Sequence, residues 1–256
     1  MPSQPATALS VNLNKIALLR NSREGNYPSV LQHAQICLDA GADGITVHPR
    51  PDQRHIRPHD VTELADMIRP LKDIEFNVEG NPFAGRHGSY PGFMALVQSS
   101  RPDQCTLVPD SDEQLTSDHG FDLIQSGARL APIIAELHAL GCRVSLFMDP
   151  LPEQIELAKQ VGADRIELYT GPYAAAFLQR APNLDELFEQ YCLAAQTASA
   201  LGLGVNAGHD LNLLNLPRFR RLPGLLEVSI GHALTVDSLA LGMSTAVQRY
   251  KAICCS

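Results

Sequence analysis

No stretch of the 256-residue chain approaches the roughly 18 consecutive apolar residues of a membrane span. The opening segment, MPSQPATALS, has neither a basic leader nor a long apolar core, so no export signal is expected and the reading is cytoplasmic. Positive charge is scarce. Against 28 Asp and Glu stand 20 Lys and Arg, a net charge of -8, which excludes a broad nucleic-acid or anionic-membrane surface. Any anionic ligand must instead meet a local group of arginines or backbone amides. The six cysteines include no Cys-x-x-Cys pair, so reduced thiols are expected. No His-x-His or His-Glu-x-x-His spacing occurs, so no metal is expected, although His48, Glu79, His209 and His232 have the right ligand chemistry if the fold brings them together. Lysine is limited to Lys15, Lys72, Lys159 and Lys251, and only Lys15 adjoins an expected strand, leaving Schiff-base chemistry one outside candidate.

What is present is a regular alternation. Eight short runs, most of them rich in β-branched residues, read as strands: SVNL (10–13), GITVH (44–48), IEFNVE (74–79), QCTLVP (104–109), RVSLFMD (143–149), RIELYTG (165–171), LGVNAGH (203–209) and EVSIGH (227–232). They read as buried strands without clean alternation, as in a parallel sheet covered on both faces. Helical patterns lie between them, and several end in a glycine just before the next strand: Gly41, Gly141, Gly162 and Gly202. "AGADGI" and "VGADRI" repeat one such joint. Eight units in 256 residues give one per roughly 32, the spacing of a (β/α)8 TIM barrel. A doubly wound sheet is the alternative, but no strand is followed by Gly-x-Gly-x-x-Gly. One barrel domain over residues 1–256, with additional helices, is therefore expected. Three segments exceed the minimum: GNPFAGRHGSYPG (80–92), PDSDEQLTSDHG (109–120), and Pro172 to Gly202, long enough for an additional helix.

In such barrels chemistry gathers at the carboxyl ends of the strands. Those ends read Asn12, His48, Glu79, Asp149, Glu167, His209 and His232. A histidine at a strand end is often only a hydrogen-bond partner, but seven polar groups at one level point to a shared pocket. Histidines with glutamates suit repeated proton transfer. Arg23, Arg50, Arg54 and His55 follow the first two strands, and "SIGHA" offers amides where the eighth strand meets a helix. The combination points to small phosphorylated ligands and acid–base chemistry.

The stretches "VNLNKIALLRNSR", "AGADGITVHPRPDQRHI", "FNVEGN", "CTLVPD", "VSLFMD", "IELYTGPYA", "VNAGHDL" and "SIGHAL" resemble the pyridoxine 5′-phosphate synthase family, from about Leu9 to Lys251. The resemblance implies a cytoplasmic homo-octamer of (β/α)8 barrels that needs no cofactor. It also implies the condensation of 1-deoxy-D-xylulose 5-phosphate with 3-amino-2-oxopropyl phosphate to pyridoxine 5′-phosphate, phosphate and water. By position, it makes His48 and Glu79 proton acceptors, His209 a proton donor and Glu167 a stabiliser of a transition state. Asn12, Arg23, Gly231 and His232 would hold the amino-oxopropyl phosphate; Arg50, His55 and Thr116 would hold the deoxyxylulose phosphate. The chain departs from the family pattern where Asn14 and Lys15 replace an Asp-His pair, where Asp210 replaces a glycine, where Asp237 replaces an arginine, and in a longer loop after Glu79. Asn14, Lys15 and Asp210 thus stand at the substrate subsites, and Asn14 with Lys15 reads as a compensated pair. A non-catalytic phosphate-ligand sensor and an enzyme of altered substrate choice are the rival readings.

Overall fold

The computed structural model describes residues 6–111 and 113–256; the first residues of the segment read as lacking an export signal lie outside them. Eight parallel strands close into a barrel in sequence order: β1 (Ala8–Asn12), β2 (Gly44–Val47), β3 (Glu75–Gly80), β4 (Gln104–Leu107), β5 (Arg143–Met148), β6 (Arg165–Tyr169), β7 (Gly204–Gly208) and β8 (Leu225–Ile230). All eight match the expected runs to within two residues at either end. Around them lie α1 (Asn14–Asn21), α2 (Val30–Asp39), α3 (Pro58–Ile68), α4 (Phe93–Ser100), α5 (Leu123–Ala139), α6 (Pro152–Gln160), α7 (Gly171–Leu178), α8 (Leu184–Ala200), α9 (Leu216–Phe219), α10 (His232–Leu241) and α11 (Met243–Cys254). The long stretch before β7 indeed holds two helices, α7 and α8, and residues 81–92 are irregular, as their glycines and prolines require.

The strands differ from expectation in one respect. They alternate cleanly, with apolar residues outward against the helices and polar residues inward. Val11, Ile45, Val47, Phe76, Val78, Ile166 and Leu168 are buried on the outer face, each side chain contributing about 1.5–3 kcal/mol. Inside the barrel, Ser10 bonds Thr46 at 2.7 Å, Asn77 donates to Thr106 at 3.1 Å, and Asn206 donates to Glu227 at 3.0 Å. Arg165 donates to both Asn206 and Glu227. Barrels of this class are usually filled with branched apolar side chains; this one is filled with a hydrogen-bonded polar network. Such an interior is tolerable only because most of its groups find partners.

The amino-terminal rim repeats one device three times. Asp43, Asp103 and Asp164 each precede an even-numbered strand. Their carboxylates accept backbone N–H groups of the strand before, from Leu9, Phe76 and Val144 at 2.7–2.8 Å. Their carbonyls accept from Glu75, Arg143 and Gly204 on the strand after. The repeated "GAD" joint therefore supplies a left-handed glycine to stop the helix (φ +100° at Gly41, +98° at Gly162) and an aspartate to fix strand register. β8 has no such aspartate, and the β7–β8 ladder shifts register between Val205 and Asn206.

Candidate active site

At the opposite, carboxyl-terminal end a cavity of about 340 Å³ opens. It is lined by Asn12, Asn14, Lys15, His48, Arg50, His55, Glu79, Thr116, Glu167, His209, Asp210, Gly231 and His232, that is, every residue expected to act in catalysis or hold substrate except Arg23. Arg23 lies exposed on the loop after α1, outside the lining. Asp149 is also outside it; its carboxylate accepts the Gly120 N–H at 3.1 Å and so anchors the end of the 109–120 loop.

The His48 ring is held between two acids. Its Nδ1 lies 3.7 Å from Glu79 Oε2 and its Nε2 3.1 Å from Asp110 Oδ2, while Asn14 Oδ1 accepts the His48 backbone N–H at 2.9 Å. Asp110 also faces Arg50 at 2.6 Å. Both contacts to Asp110 are ion-pair contacts rather than aligned hydrogen bonds. The two acids are displaced in opposite directions. Burial raises Glu79 above the usual carboxylate range, though His48 and His209 oppose it. Burial also acts to raise Asp110, but His48 and Arg50 together outweigh it and hold Asp110 below that range. Unlike neighbours pushed apart in this way are what proton transfer needs.

Glu79 is oriented by Asn12, whose amide donates to Oε2 at 3.2 Å, and Asn12 in turn accepts the Asn14 N–H at 3.0 Å. Glu167, expected at a strand end, instead sits mid-strand in β6, one layer below the mouth. Thr106 donates to it at 3.4 Å, and burial, with Glu79 and Glu227 nearby, raises it well above the carboxylate range. It is a neutral acid able to donate. In "VNAGHDL", a Cβ on Gly208 would meet Glu167 Oε1 and come within 3.3 Å of the Ser229 carbonyl, so the glycine leaves that carboxyl group in place.

His209 and Asp210 follow with φ of +90° and +56°. Positive φ is costly for residues with a Cβ, though aspartate tolerates it better than most. The turn is braced. Thr170 Oγ donates to the carbonyls of Gly208 and His209, and Asn215 donates to the Asp210 carbonyl at 3.1 Å. His209 Nε2 shares a 2.7 Å hydrogen bond with Thr116, and its Nδ1 lies 3.3 Å from the Asp210 carboxylate. That hydrogen bond, with His232 and Lys15 nearby, lowers Asp210 below the usual range despite partial burial. The negative charge of Asp210 is thus screened by three basic groups.

Cationic and amide groups line the rest. His55 Nδ1 accepts the Ile56 N–H at 2.9 Å, so its Nε2 carries the proton. Burial, reinforced by His48 and Arg50, pushes the ring down to about 2, and it stays a neutral donor. Arg50 and Arg54 donate to carbonyls of Ser111 and Gln114, strapping the 109–120 loop over the mouth. The amino terminus of α10 begins at Gly231–His232 without a side-chain cap, presenting amides suited to an anion. Among the described residues no three His, Cys, Asp or Glu side chains converge as a metal-binding group.

Asp110 is the principal residue that sequence reasoning missed. β4 was the one strand without a chemical group at its end, and the aspartate of "CTLVPD" supplies it three residues later. Ser229, donating to Glu79 at 3.5 Å, was also missed, hidden in a strand read as apolar.

Comparison with known proteins extends these observations. The family described as "Pyridoxal phosphate biosynthesis protein PdxJ" matches residues 9–256. Pyridoxine 5′-phosphate synthase of Xanthomonas campestris pv. campestris is 56% identical over 251 residues, covering 97% of this chain and 96% of the relative. The synthase of Xylella fastidiosa is 52% identical over 245 residues, covering 95% and 93%. Among solved structures, one from Aquifex aeolicus superposes with a TM-score of 0.63 at 14% identity over 98% of this chain and 95% of its own. A tryptophan synthase alpha-subunit from Pyrococcus furiosus superposes with a TM-score of 0.60 at 13% identity over 96% of each chain. These two likenesses concern the fold alone.

Proposed function

The chain belongs to the PdxJ family of pyridoxal phosphate biosynthesis proteins, and from that premise we propose how its barrel mouth condenses 1-deoxy-D-xylulose 5-phosphate with 3-amino-2-oxopropyl phosphate. The products are pyridoxine 5′-phosphate, inorganic phosphate and water, and the step belongs to vitamin B6 biosynthesis. The observation that carries the mechanism is the His48 ring between Glu79 and Asp110, two acids displaced in opposite directions.

Imine formation, phosphate loss, hydration, ring closure and dehydration each move protons. His48 and Glu79 accept them, and His209, at the opposite wall with Thr116, donates. Glu167, kept neutral by its depth, donates a hydrogen bond to negative charge developing above it. Asn12 and the Gly231–His232 amides hold the amino-oxopropyl phosphate. Arg50, His55 and Thr116, with Asn14 and Lys15, hold the deoxyxylulose phosphate. Arg23, exposed as the fold leaves it, takes no part within this chain's own cavity.

No described helix is long and apolar enough to cross a membrane. The reading includes a single-domain chain in the cytoplasm, assembled as a homo-octamer through apolar surface such as Leu178 and Leu239, both more than 80% exposed. The test is to supply the purified chain with both substrates and measure pyridoxine 5′-phosphate. His48→Asn, Glu79→Gln and His209→Asn should each lower turnover by roughly 10²–10⁴-fold with the fold intact. Near-parental turnover in all three would remove the mechanism.

A further inference from the structure

A second cavity of about 320 Å³ lies beside the first. His48 and Arg50 line both, so these two side chains form the wall between them. The far wall comes from the 80–92 segment, the loop that is longer than the family pattern, and includes Asn81, Arg86 and His87. This wall is built rather than loose. Asn81 donates to the Asp110 carbonyl at 2.7 Å, His87 and Tyr90 exchange backbone hydrogen bonds at 2.9 Å, and Gln53 donates to Ser89 at 2.7 Å.

Its charge is predominantly positive. Arg50 and Arg86 line it, with His48 and His87 beside them, and among the described lining residues Asp110 is the only acid. Asp110 is already engaged with Arg50 and His48. Arg86 makes no hydrogen bond or ion pair with any described residue. A preformed chamber with an uncompensated guanidinium favours a small anion.

We infer that this side chamber is a binding site for the phosphate dianion, and that it receives the inorganic phosphate expelled by the reaction. This rests on the proposed function, which sets phosphate free next to Arg50 while the mouth is occupied by the second substrate. Arg50, reaching both cavities, provides a continuous cationic path from one to the other. Arg86 and His87 then hold the ion at the outer end.

The experiment is calorimetric titration of the intact chain with inorganic phosphate alone, comparing parent with Arg86→Ala/His87→Ala and with Arg86→Gln. Both side chains are exposed, and the glutamine variant keeps the stem should the double change disturb the loop. The expected result is loss of one class of phosphate sites, or at least tenfold weaker binding there, with the remaining sites unchanged. In turnover assays phosphate should inhibit the parent without competing with either substrate, and this inhibition should weaken by the same factor in the variants. Identical isotherms, or a parent that binds no phosphate, would overturn the inference. A site that takes glycerol phosphate but not inorganic phosphate would overturn the product-exit role. The titration needs no turnover, so a chain that binds phosphate through Arg86 yet makes no pyridoxine 5′-phosphate would overturn the exit role and the activity while leaving the anion site.

Discussion

His48 Nε2 and Asp110 Oδ2 stand 3.1 Å apart, on the side of the imidazole away from Glu79. Asp110 gives the ring an ionised neighbour that Arg50 holds in place. Asp110 is therefore a positioning residue that fixes the orientation of the imidazole.

Asp110→Asn should lower kcat by roughly tenfold to a hundredfold, part of the effect of a full acid–base group. The loss should fall on kcat rather than KM, because Asp110 orients the His48 ring and lies outside the lining of the substrate cavity. An unchanged kcat would reduce Asp110 to a packing role.

Glu167 governs how stability responds to pH. Its folded-state pKa is raised, so the folded chain holds that proton in a range where the unfolded chain has released it. The contribution of the neutral group is complete below the ordinary glutamate range and is lost as pH rises toward the folded value. Glu167→Gln should leave Tm nearly unchanged at low pH and raise it relative to the parent in alkali. The difference in slope reaches at most about 1.4 kcal/mol per pH unit for one proton. Parallel Tm curves for parent and variant across this range would show that Glu167 ionises normally.

Lys15 has its counter-charge in Asp210, since its neighbour Asn14 is uncharged. Asn14 is occupied with the His48 N–H, whereas Lys15 and Asp210 face the same cavity and Lys15 helps to lower Asp210. Lys15 and Asp210 offset one another's charge. Asp210→Gly should relieve the positive φ and tighten the Michaelis constant for the deoxyxylulose phosphate, and Lys15→His should weaken it. The double change should differ from the sum by at least about 0.5 kcal/mol in kcat/KM. Additive effects would make the positions independent.

The barrel was legible because spacing, glycine stops and the "GAD" joints are local signals, and each recurs. The polar interior was not recognised, although the strands write it: "LSV", "ITV", "FNVE", "IELY" and "VNAG" place a hydrophilic residue between apolar ones. The expectation of a fully buried parallel strand masked the alternation. Strand-end histidines were legible for the same local reason, as was Glu79. Depth was not, since the sequence cannot tell that β6 carries Glu167 below the mouth rather than at it. Asp110 required the pairing of β4 with its neighbours, which brings a residue of a polar loop back against β2's histidine.

The aspartate staples of the amino-terminal rim join β1 through β7 in an unbroken arc, since each spans three consecutive strands. β8 alone stands outside that arc, held by ladder bonds and by Thr7, whose hydroxyl donates to the Leu225 carbonyl. The barrel is thus an arc of seven stapled strands closed by one stave that the rim aspartates do not tie. That stave carries Ser229 to Glu79 and leads into the Gly231–His232 amides, while the shifted register beside it runs beneath the turn that bends into His209. The geometric slack of the wall and one end of the candidate anion cradle therefore occupy the same strand.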